Sequence, residues 1–428
     1  MIKRVKGTQD FLDLTLFNFI IEKISHHLAL YRFSQIATPI IEHTELFTRS
    51  LGTATDVVSK EMFLIEHRGD GQHEDQEIEH ICLRPENTAP IVRAFIENGI
   101  QTIPWKVFAW GPMFRYERPQ KGRYRQFNQI SMEIIGAASI AEDAQFIMML
   151  DRFFHETLQM NNYAILLNFL GCPQDRVKFK EKLRAFLDKL GTAVCANCME
   201  RKDKNIMRIF DCKISTCQEL YQNAPHIADN LCPTCEQEWN AVQLQLQMLS
   251  VSYVYKPTLV RGLDYYSKTV FEFASNQLGA QNAFCAGGRY DGLVKELGGA
   301  EDQPSLGAAI GIERLMLILE NYISRLALPQ KQALQVVVPM GTAEQSLALI
   351  LADVMRASGL CVEVLLEGDS MKSMMRKANK LGAAHCLILG SDELASKTVT
   401  VKNMVTGEEK RMPQVEVVGF LSAFAKVT

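Results

Sequence analysis

The chain has 428 residues, with 46 Lys plus Arg against 49 Asp plus Glu and a formal net charge of −3. That balance excludes a protein held to nucleic acid or to an anionic membrane by bulk charge, so any such contact must come from local patches. A hydrophobic content of 47% over this length is enough for roughly three globular domains.

Residues 3–10 read as an irregular start, and Lys3, Arg4 and Lys6 lack the apolar stretch that follows in a signal peptide. Residues 14–31 predict a helix, because Phe17, Ile20, Ile21, Ile24, Leu28 and Tyr31 recur at spacings of three and four. Residues 35–42 read as a strand in which Pro39 demands an edge or a bulge. A short strand at 60–65 leads into a polar, acidic tip at 68–80, expected to be a mobile hairpin end. His67, His73 and His80 flank that tip at irregular spacing, which speaks against a metal there. The chain returns as a strand at 81–84. Pro85, Glu86, Asn87 and Thr88 then open a helix reaching about 97, where Pro and Thr suit a helix start and Glu86 favours its dipole.

Residues 108–117 and 126–135 read as two strands. Arg118, Lys121, Arg123 and Arg125 share the loop between them with Pro119 and Gly122. Alternation puts Gln129, Ser131 and Glu133 on one face of the second strand. Guanidinium groups on rigid strands are planar bidentate donors suited to a polyphosphate. An exposed hairpin with a solvated charged tip is the alternative.

A helix at 140–158 and a strand at 163–169 follow, and then a helix-rich stretch at 172–250. Cys195-x-x-Cys198 and Cys232-x-x-Cys235, with Cys212 and Cys217 between them, read as paired knuckles for one structural Zn²⁺ held by four thiolates. Reduced cysteines used as small apolar core residues are the alternative. Beyond a linker at 326–332, residues 334–339, 343–357, 361–366, 371–381 and 386–389 alternate strand and helix. They predict a small α/β domain with a mostly parallel sheet. Lys372, Arg376, Lys377, Lys380, Lys397 and Lys402 offer it either a cationic RNA face or solvated charges. No apolar run is long enough to span a bilayer, and eleven cysteines with no export signal point to reduced thiols or a metal in a cytoplasmic setting.

FRYERPQKGRYRQF at 114–127 resembles motif 2 of class II aminoacyl-tRNA synthetases in the form found in histidine–tRNA ligases. Four further segments are similar to that family: Pro39 with Glu42 and Phe47 to motif 1, Arg84-Pro85-Glu86-Asn87-Thr88 to its amino-acid lip, RGLDYY at 261–266 and AGGRYDGL at 286–293 to its two signatures. LGAAIGIERL at 306–315 resembles motif 3. The resemblance implies a mixed α+β fold: an antiparallel catalytic sheet in two parts, 1–171 and 251–325, a Cys-rich helical insertion at 172–250, and an α/β anticodon-binding domain at 333–428. It implies a homodimer through motif 1, ATP with Mg²⁺ as substrate, and L-histidine and tRNA(His) as partners.

The same resemblance implies residue roles. Arg115 and Arg261 are the catalytic arginines at the α-phosphate and reacting carboxylate. Arg115, Glu117, Arg123, Phe127 and Arg314 bind ATP. Glu86, Asn87, Thr88, Gln129, Glu133, Arg261, Tyr265, Tyr266 and Tyr290 bind histidine. Arg118 and Gln120 meet the tRNA acceptor end. Asn87 stands where the family commonly has glycine, and asparagine tolerates a positive φ if the lip needs one. The rival from another class is a non-catalytic paralogue that binds histidine as a regulatory subunit in histidine biosynthesis. Such paralogues usually lack the anticodon domain and lose catalytic arginines, whereas Arg115, Arg261, Arg314 and a C-terminal domain are all present here.

Overall fold

A hairpin at the middle of the larger sheet, Trp105–Phe114 with Gln126–Ile135, pairs antiparallel along its whole length. The computed structural model describes residues 2–52, 55–66, 80–279, 282–367 and 370–425, so most of the acidic tip at 68–80, with His67 and His73, lies outside the described residues. Eight strands make the sheet, in the order Ser34–Gln35, Trp105–Phe114, Gln126–Ile135, Ser305–Gly311, Ala283–Arg289, Ser267–Ala274, Ala164–Phe169 and Val254–Tyr255. The outermost pair at each edge is parallel, and the ladders between them are antiparallel.

Period-two alternation divides the central strand. Ile130, Met132 and Ile134 enter a core built with the helices Thr15–Leu30, Ala141–Arg152 and Ile312–Leu319. Gln129, Ser131 and Glu133 face the other way, toward the side on which Thr88–Glu97, Thr44–Leu51 and the first part of the insertion pack, while its last helix Pro233–Met248 joins the opposite core. The first strand of the hairpin ends at Phe114, short of the expected 117. There the Arg115 N–H still reaches the Arg125 carbonyl at 2.9 Å, but the Glu117 N–H folds back onto the Arg115 carbonyl at 2.7 Å, a tight turn that ends the ladder before Glu117.

Pro39 splits the expected strand at 35–42. Its first part, Ser34–Gln35, edges the large sheet, and Ile41–His43 joins a three-stranded sheet with Ile81–Leu83 and Phe63–Ile65. The insertion starts with the helix Pro173–Leu190 and ends with Pro233–Met248. Between them run only short pieces among the described residues, the longest being Ala196–Lys204 at nine residues. No helix among the described residues is long and apolar enough to cross a membrane.

The chain divides into two compact units, Met1–Leu328 and Pro329–Thr428. In the second, Cys361–Val364, Leu334–Pro339 and Ala383–Leu389 are parallel neighbours. The expected mostly parallel sheet is only half so, because Thr398–Asn403 and Glu409–Pro413 add an antiparallel hairpin on one edge. On its helix Met371–Lys380, Met374 and Ala378 are buried while Lys372, Arg376 and Lys380 are exposed.

One buried ion pair ties the helix Ala141–Arg152 to the sheet of the first unit. Arg289, 1% exposed, donates from Nε to Asp143 Oδ1 at 3.0 Å and from Nη1 to the Ala137 carbonyl at 2.6 Å. Asp143 is fully buried, so the pair works only while both partners are present. Asp143→Asn is expected to cost the larger unit about 3–5 kcal/mol in urea unfolding, because it leaves the buried guanidinium only Asp291, at 3.4 Å, as a charged partner. A loss below about 1 kcal/mol, the scale of an exposed pair, would remove the brace from this account.

Candidate active site

The site is assembled around Glu133, which is fully buried in the central strand. Thr88 Oγ1 donates to Glu133 Oε1 at 2.8 Å, and the Tyr290 hydroxyl donates to Oε2 at 2.5 Å. Register puts Gly307 directly opposite Glu133 on the neighbouring strand. A Cβ at Gly307 would fall on the Glu133 carboxylate, so glycine there is what leaves the carboxyl its slot. Burial pushes the Glu133 carboxyl up to about 8, and its two hydroxyl donors offset that only in part. Tyr265, Tyr266 and Tyr290 wall the node, with ring centroids 4.6 Å apart for the first two and 5.7 Å for Tyr265 and Tyr290.

The lip above it is a helix start. Glu86, 3% exposed, takes the Thr88 N–H at 2.7 Å and the Ala89 N–H at 2.8 Å, one on each carboxylate oxygen. These bonds satisfy two orphan donors of the helix Thr88–Glu97. Burial raises the Glu86 carboxyl from its ordinary value, against the pull of those N–H groups and of Arg115. Asn87 has φ −118°, so the lip makes no use of the left-handed conformation that asparagine would tolerate. Its Oδ1 instead accepts from Thr38 Oγ1 at 2.6 Å and Arg84 Nη1 at 3.1 Å. Oδ1 thus ties the lip to the proline-bearing segment, while the buried Asn87 Nδ2 has no hydrogen-bond partner.

A group of arginines lies beside this pocket, each fixed by a neighbour. Arg115 Nε donates to the Pro85 carbonyl at 2.8 Å, and its guanidinium lies 5.4 Å from the centre of the Phe127 ring. Among the described residues its two Nη atoms have no hydrogen-bond partner. Arg261 is ion-paired with Glu272 and stands 5.6 Å from the Tyr266 ring centre. Arg123 is ion-paired with Glu117, so Glu117 acts in the structure as an anchor for an arginine. Arg314 donates from Nε to the Gly122 carbonyl at 2.9 Å and from Nη1 to the Ala283 carbonyl at 2.7 Å. Burial lowers the Arg115 guanidinium from its ordinary value, with Glu61 and Glu86 opposing that, which joins this group to the lip.

The family model described as histidyl-tRNA synthetase matches residues 17–315, and an anticodon-binding-domain model matches 335–424. The histidine–tRNA ligase of Solidesulfovibrio magneticus is 42% identical over 96% of this chain and 95% of its own. That of Clostridioides difficile is 38% identical over 96% of each. A crystal structure of apo histidyl-tRNA synthetase from S. aureus superposes with a TM-score of 0.78 at 30% identity, covering 98% of this chain and 99% of that one. The chain belongs to the histidyl-tRNA synthetase family.

Within that family frame, Gln129 carries a buried Oε1 with no hydrogen-bond partner, and so does the Ser131 hydroxyl on the same face. Arg118 and Gln120 are exposed on the loop, away from the node. The expected single zinc site of Cys195, Cys198, Cys232 and Cys235 is also corrected. Cys195 and Cys198 converge with Cys212 and Cys217, whereas Cys232 and Cys235 converge with Cys172 and Asp175. The two knuckles start different helices, Ala196–Lys204 and Pro233–Met248, whose first turns lie in different places.

Three supports went unread in the sequence. Arg84, 3% exposed, donates to the Thr38, Pro39 and Pro112 carbonyls as well as to Asn87. Its signal was a cation in a strand otherwise built of Ile81, Cys82 and Leu83. Glu313 does not pair with Arg314 as a helix-start couple would. Its carboxylate takes the Asn128 N–H at 2.8 Å and the Asn128 Nδ2 at 2.9 Å, clasping the central strand to the following helix. Glu272, the partner of Arg261, stands in the strand Ser267–Ala274 between two phenylalanines.

The raised Glu133 carboxyl gives a pH signature. Between its ordinary value near 4.5 and about 8, the folded protein holds a proton that the unfolded chain has released. Stability relative to Glu133→Gln is therefore fully present below 4.5 and falls as pH rises through about 8. Urea unfolding of both proteins at pH 5 and pH 8.5 checks the sign, and a difference that grows with pH contradicts the buried carboxyl.

Proposed function

We propose that this chain attaches histidine to tRNA(His) in two steps, and that the node described above selects the histidine side chain. In the first step the histidine carboxylate attacks the α-phosphorus of ATP, forming histidyl-adenylate and releasing pyrophosphate. Two anions must meet, so fixed positive charge is needed where charge develops. Arg115 takes the α-phosphate through its Nη atoms, and Arg261 holds the carboxylate and α-phosphate together. Arg123 and Arg314 take the distal phosphates, with Mg²⁺ arriving on the nucleotide, and Phe127 stacks on adenine. Glu117 keeps Arg123 in place. In the second step the tRNA 3′-terminal hydroxyl attacks the adenylate carbonyl and AMP leaves, with Arg118 and Gln120 meeting the acceptor end.

The observation that carries this reading is the buried Glu133 carboxyl, flanked by hydroxyls and walled by three tyrosines beside the arginines. A neutral imidazole has one donor and one acceptor. Glu133 accepts from one ring nitrogen, and a tyrosine hydroxyl among Tyr265, Tyr266 and Tyr290 serves the other. Glu86, Thr88 and the unpartnered Gln129 Oε1 receive the α-ammonium. Asn87 supports the lip from behind. A pocket that must hydrogen-bond its ligand rejects analogues lacking those groups by factors on the order of 10⁴.

The homodimer is part of this proposal. Ile40, Ile41, Leu64 and Trp110 are each more than a third exposed along the motif 1 side of the unit, and a second copy would cover them. The anticodon-domain match supports recognition of tRNA by the second unit. The regulatory-paralogue reading is less well supported, since the arginines and that second unit are retained.

ATP–pyrophosphate exchange with each of the twenty amino acids, without tRNA, tests the activation step. Exchange with histidine alone is the expected result. No exchange by a folded protein that still binds histidine would turn the reading to the regulatory one. Glu133→Gln is expected to lower kcat/KM for histidine roughly 10–100-fold, the scale of leaving a buried hydrogen-bonding group unsatisfied, while the KM for ATP stays near that of the parent. Equal loss for both substrates would detach Glu133 from the side chain.

A further inference from the structure

The cysteines of the insertion form two separate constellations. In the first, the ligand atoms of Cys195, Cys198, Cys212 and Cys217 all lie within 4.8 Å of one another. Cys198 and Cys217 are fully buried, and Cys212 is 5% exposed. The Cys195 and Cys212 sulfurs are 3.8 Å apart, and the Cys195 N–H points at the Cys217 sulfur at 3.3 Å. A tetrahedron with metal–sulfur distances of about 2.3 Å has edges of about 3.8 Å. All eleven cysteines are free thiols, so no disulfide accounts for the convergence.

The second constellation sits at the root of the insertion. Cys172, Asp175, Cys232 and Cys235 bring their ligand atoms within 4.8 Å of one another. Asp175 is fully buried and Cys235 is 2% exposed. The two halves have one form: Cys172-Pro-Gln-Asp175 and Cys232-Pro-Thr-Cys235 each put a cysteine at a helix cap, proline at the first helical position and a ligand two residues on. Asp175 Oδ1 reaches across to take the Cys232 N–H at 2.9 Å. Gly171 allows the approach. Its φ is +63°, and a Cβ there would come within 2.7 Å of Asp175 and 3.0 Å of Leu231.

The alternative for both clusters is thiols used as apolar filler. Filler needs burial but not convergence; Asp175 also takes the Cys172 N–H at 3.3 Å as a helix cap, but capping does not require three sulfurs to gather at the same carboxylate. The segment between the two long helices is built of pieces too short to hold themselves, which is where a metal contributes to folding.

We propose that the insertion binds two Zn²⁺ ions, one on Cys195, Cys198, Cys212 and Cys217 and one on Cys172, Asp175, Cys232 and Cys235. Each ion displaces the protons of its thiols, leaving a site of net charge −2 in either case. The outer ion organises the short helices. The root ion locks the two ends of the insertion together where it leaves and rejoins the sheet. That lock bears on the pocket, because Arg176, the residue after Asp175, donates to the Tyr266 carbonyl at 2.8 Å.

Zinc per chain, measured by plasma mass spectrometry on the full-length reduced protein, tests this. Two ions per chain are expected, falling to one in Cys212→Ser and to one in Asp175→Asn, with both ions retained in Cys361→Ser. One ion in the parent, or none, overturns the proposal. So does the loss of both ions from either single variant while circular dichroism shows the fold kept. Should a variant fail to fold, the parent alone decides: blocking its thiols with an organomercurial must release two zinc ions per chain to a colorimetric chelator, and release of fewer overturns the assignment.

Discussion

A carboxyl group with no access to water dominates the design of the larger unit. Glu133 lies where three elements meet: its own strand, the strand of Gly307 and the helix start of Thr88. Tyr290 comes from a fourth, just past the strand Ala283–Arg289. Each contact is a demand on register. A slip of one residue in the central strand would turn Glu133 into the core and Ile134 into the pocket. Burial of such a group is costly, and that cost is acceptable only where a ligand later uses the charge.

The arginines around it follow one rule. Each is held by a carbonyl or a carboxylate before any substrate arrives: Arg115 by Pro85, Arg123 by Glu117, Arg261 by Glu272, and Arg314 by Gly122 and Ala283. Long cations on a flexible surface would lose rotamer freedom on binding phosphate. Here that ordering is done in advance by the fold, which is how a charged site stabilises a transition state better than water does. From the opposite face, the sheet is held to its helices by Asp143 with Arg289 and by Glu313 with Asn128.

The sequence disclosed the hairpin, the tyrosines and the arginines because each belongs to a contiguous motif. Glu133 was legible twice, by alternation with Ile134 and by its place after motif 2. What stayed hidden depends on distant partners. Glu313 lies 185 residues from Asn128, and nothing local distinguishes a clasp from a helix-start charge pair. The cysteine pairing failed for a related reason: two Cys-x-x-Cys knuckles suggested one site, while the fourth ligand at the root is an aspartate that no cysteine count includes. Asn87 was read through backbone freedom, but its backbone is ordinary and its side chain does the binding, to Thr38 and Arg84. In the second unit, Glu409–Pro413 is a charged edge strand with little alternation, whereas Thr398–Asn403 alternates clearly, with Val399 and Val401 buried, and was simply not read.

The bond from Arg115 to the Pro85 carbonyl carries one more implication. Pro85 directly precedes Glu86, so under the proposed assignment a single peptide group is both the seat of the α-phosphate cation and part of the amino-acid lip. The two halves of the reaction thus share a mechanical joint. Anyone reshaping the lip to admit a different amino acid will move the guanidinium too, and will trade turnover for specificity unless the peptide itself is kept still.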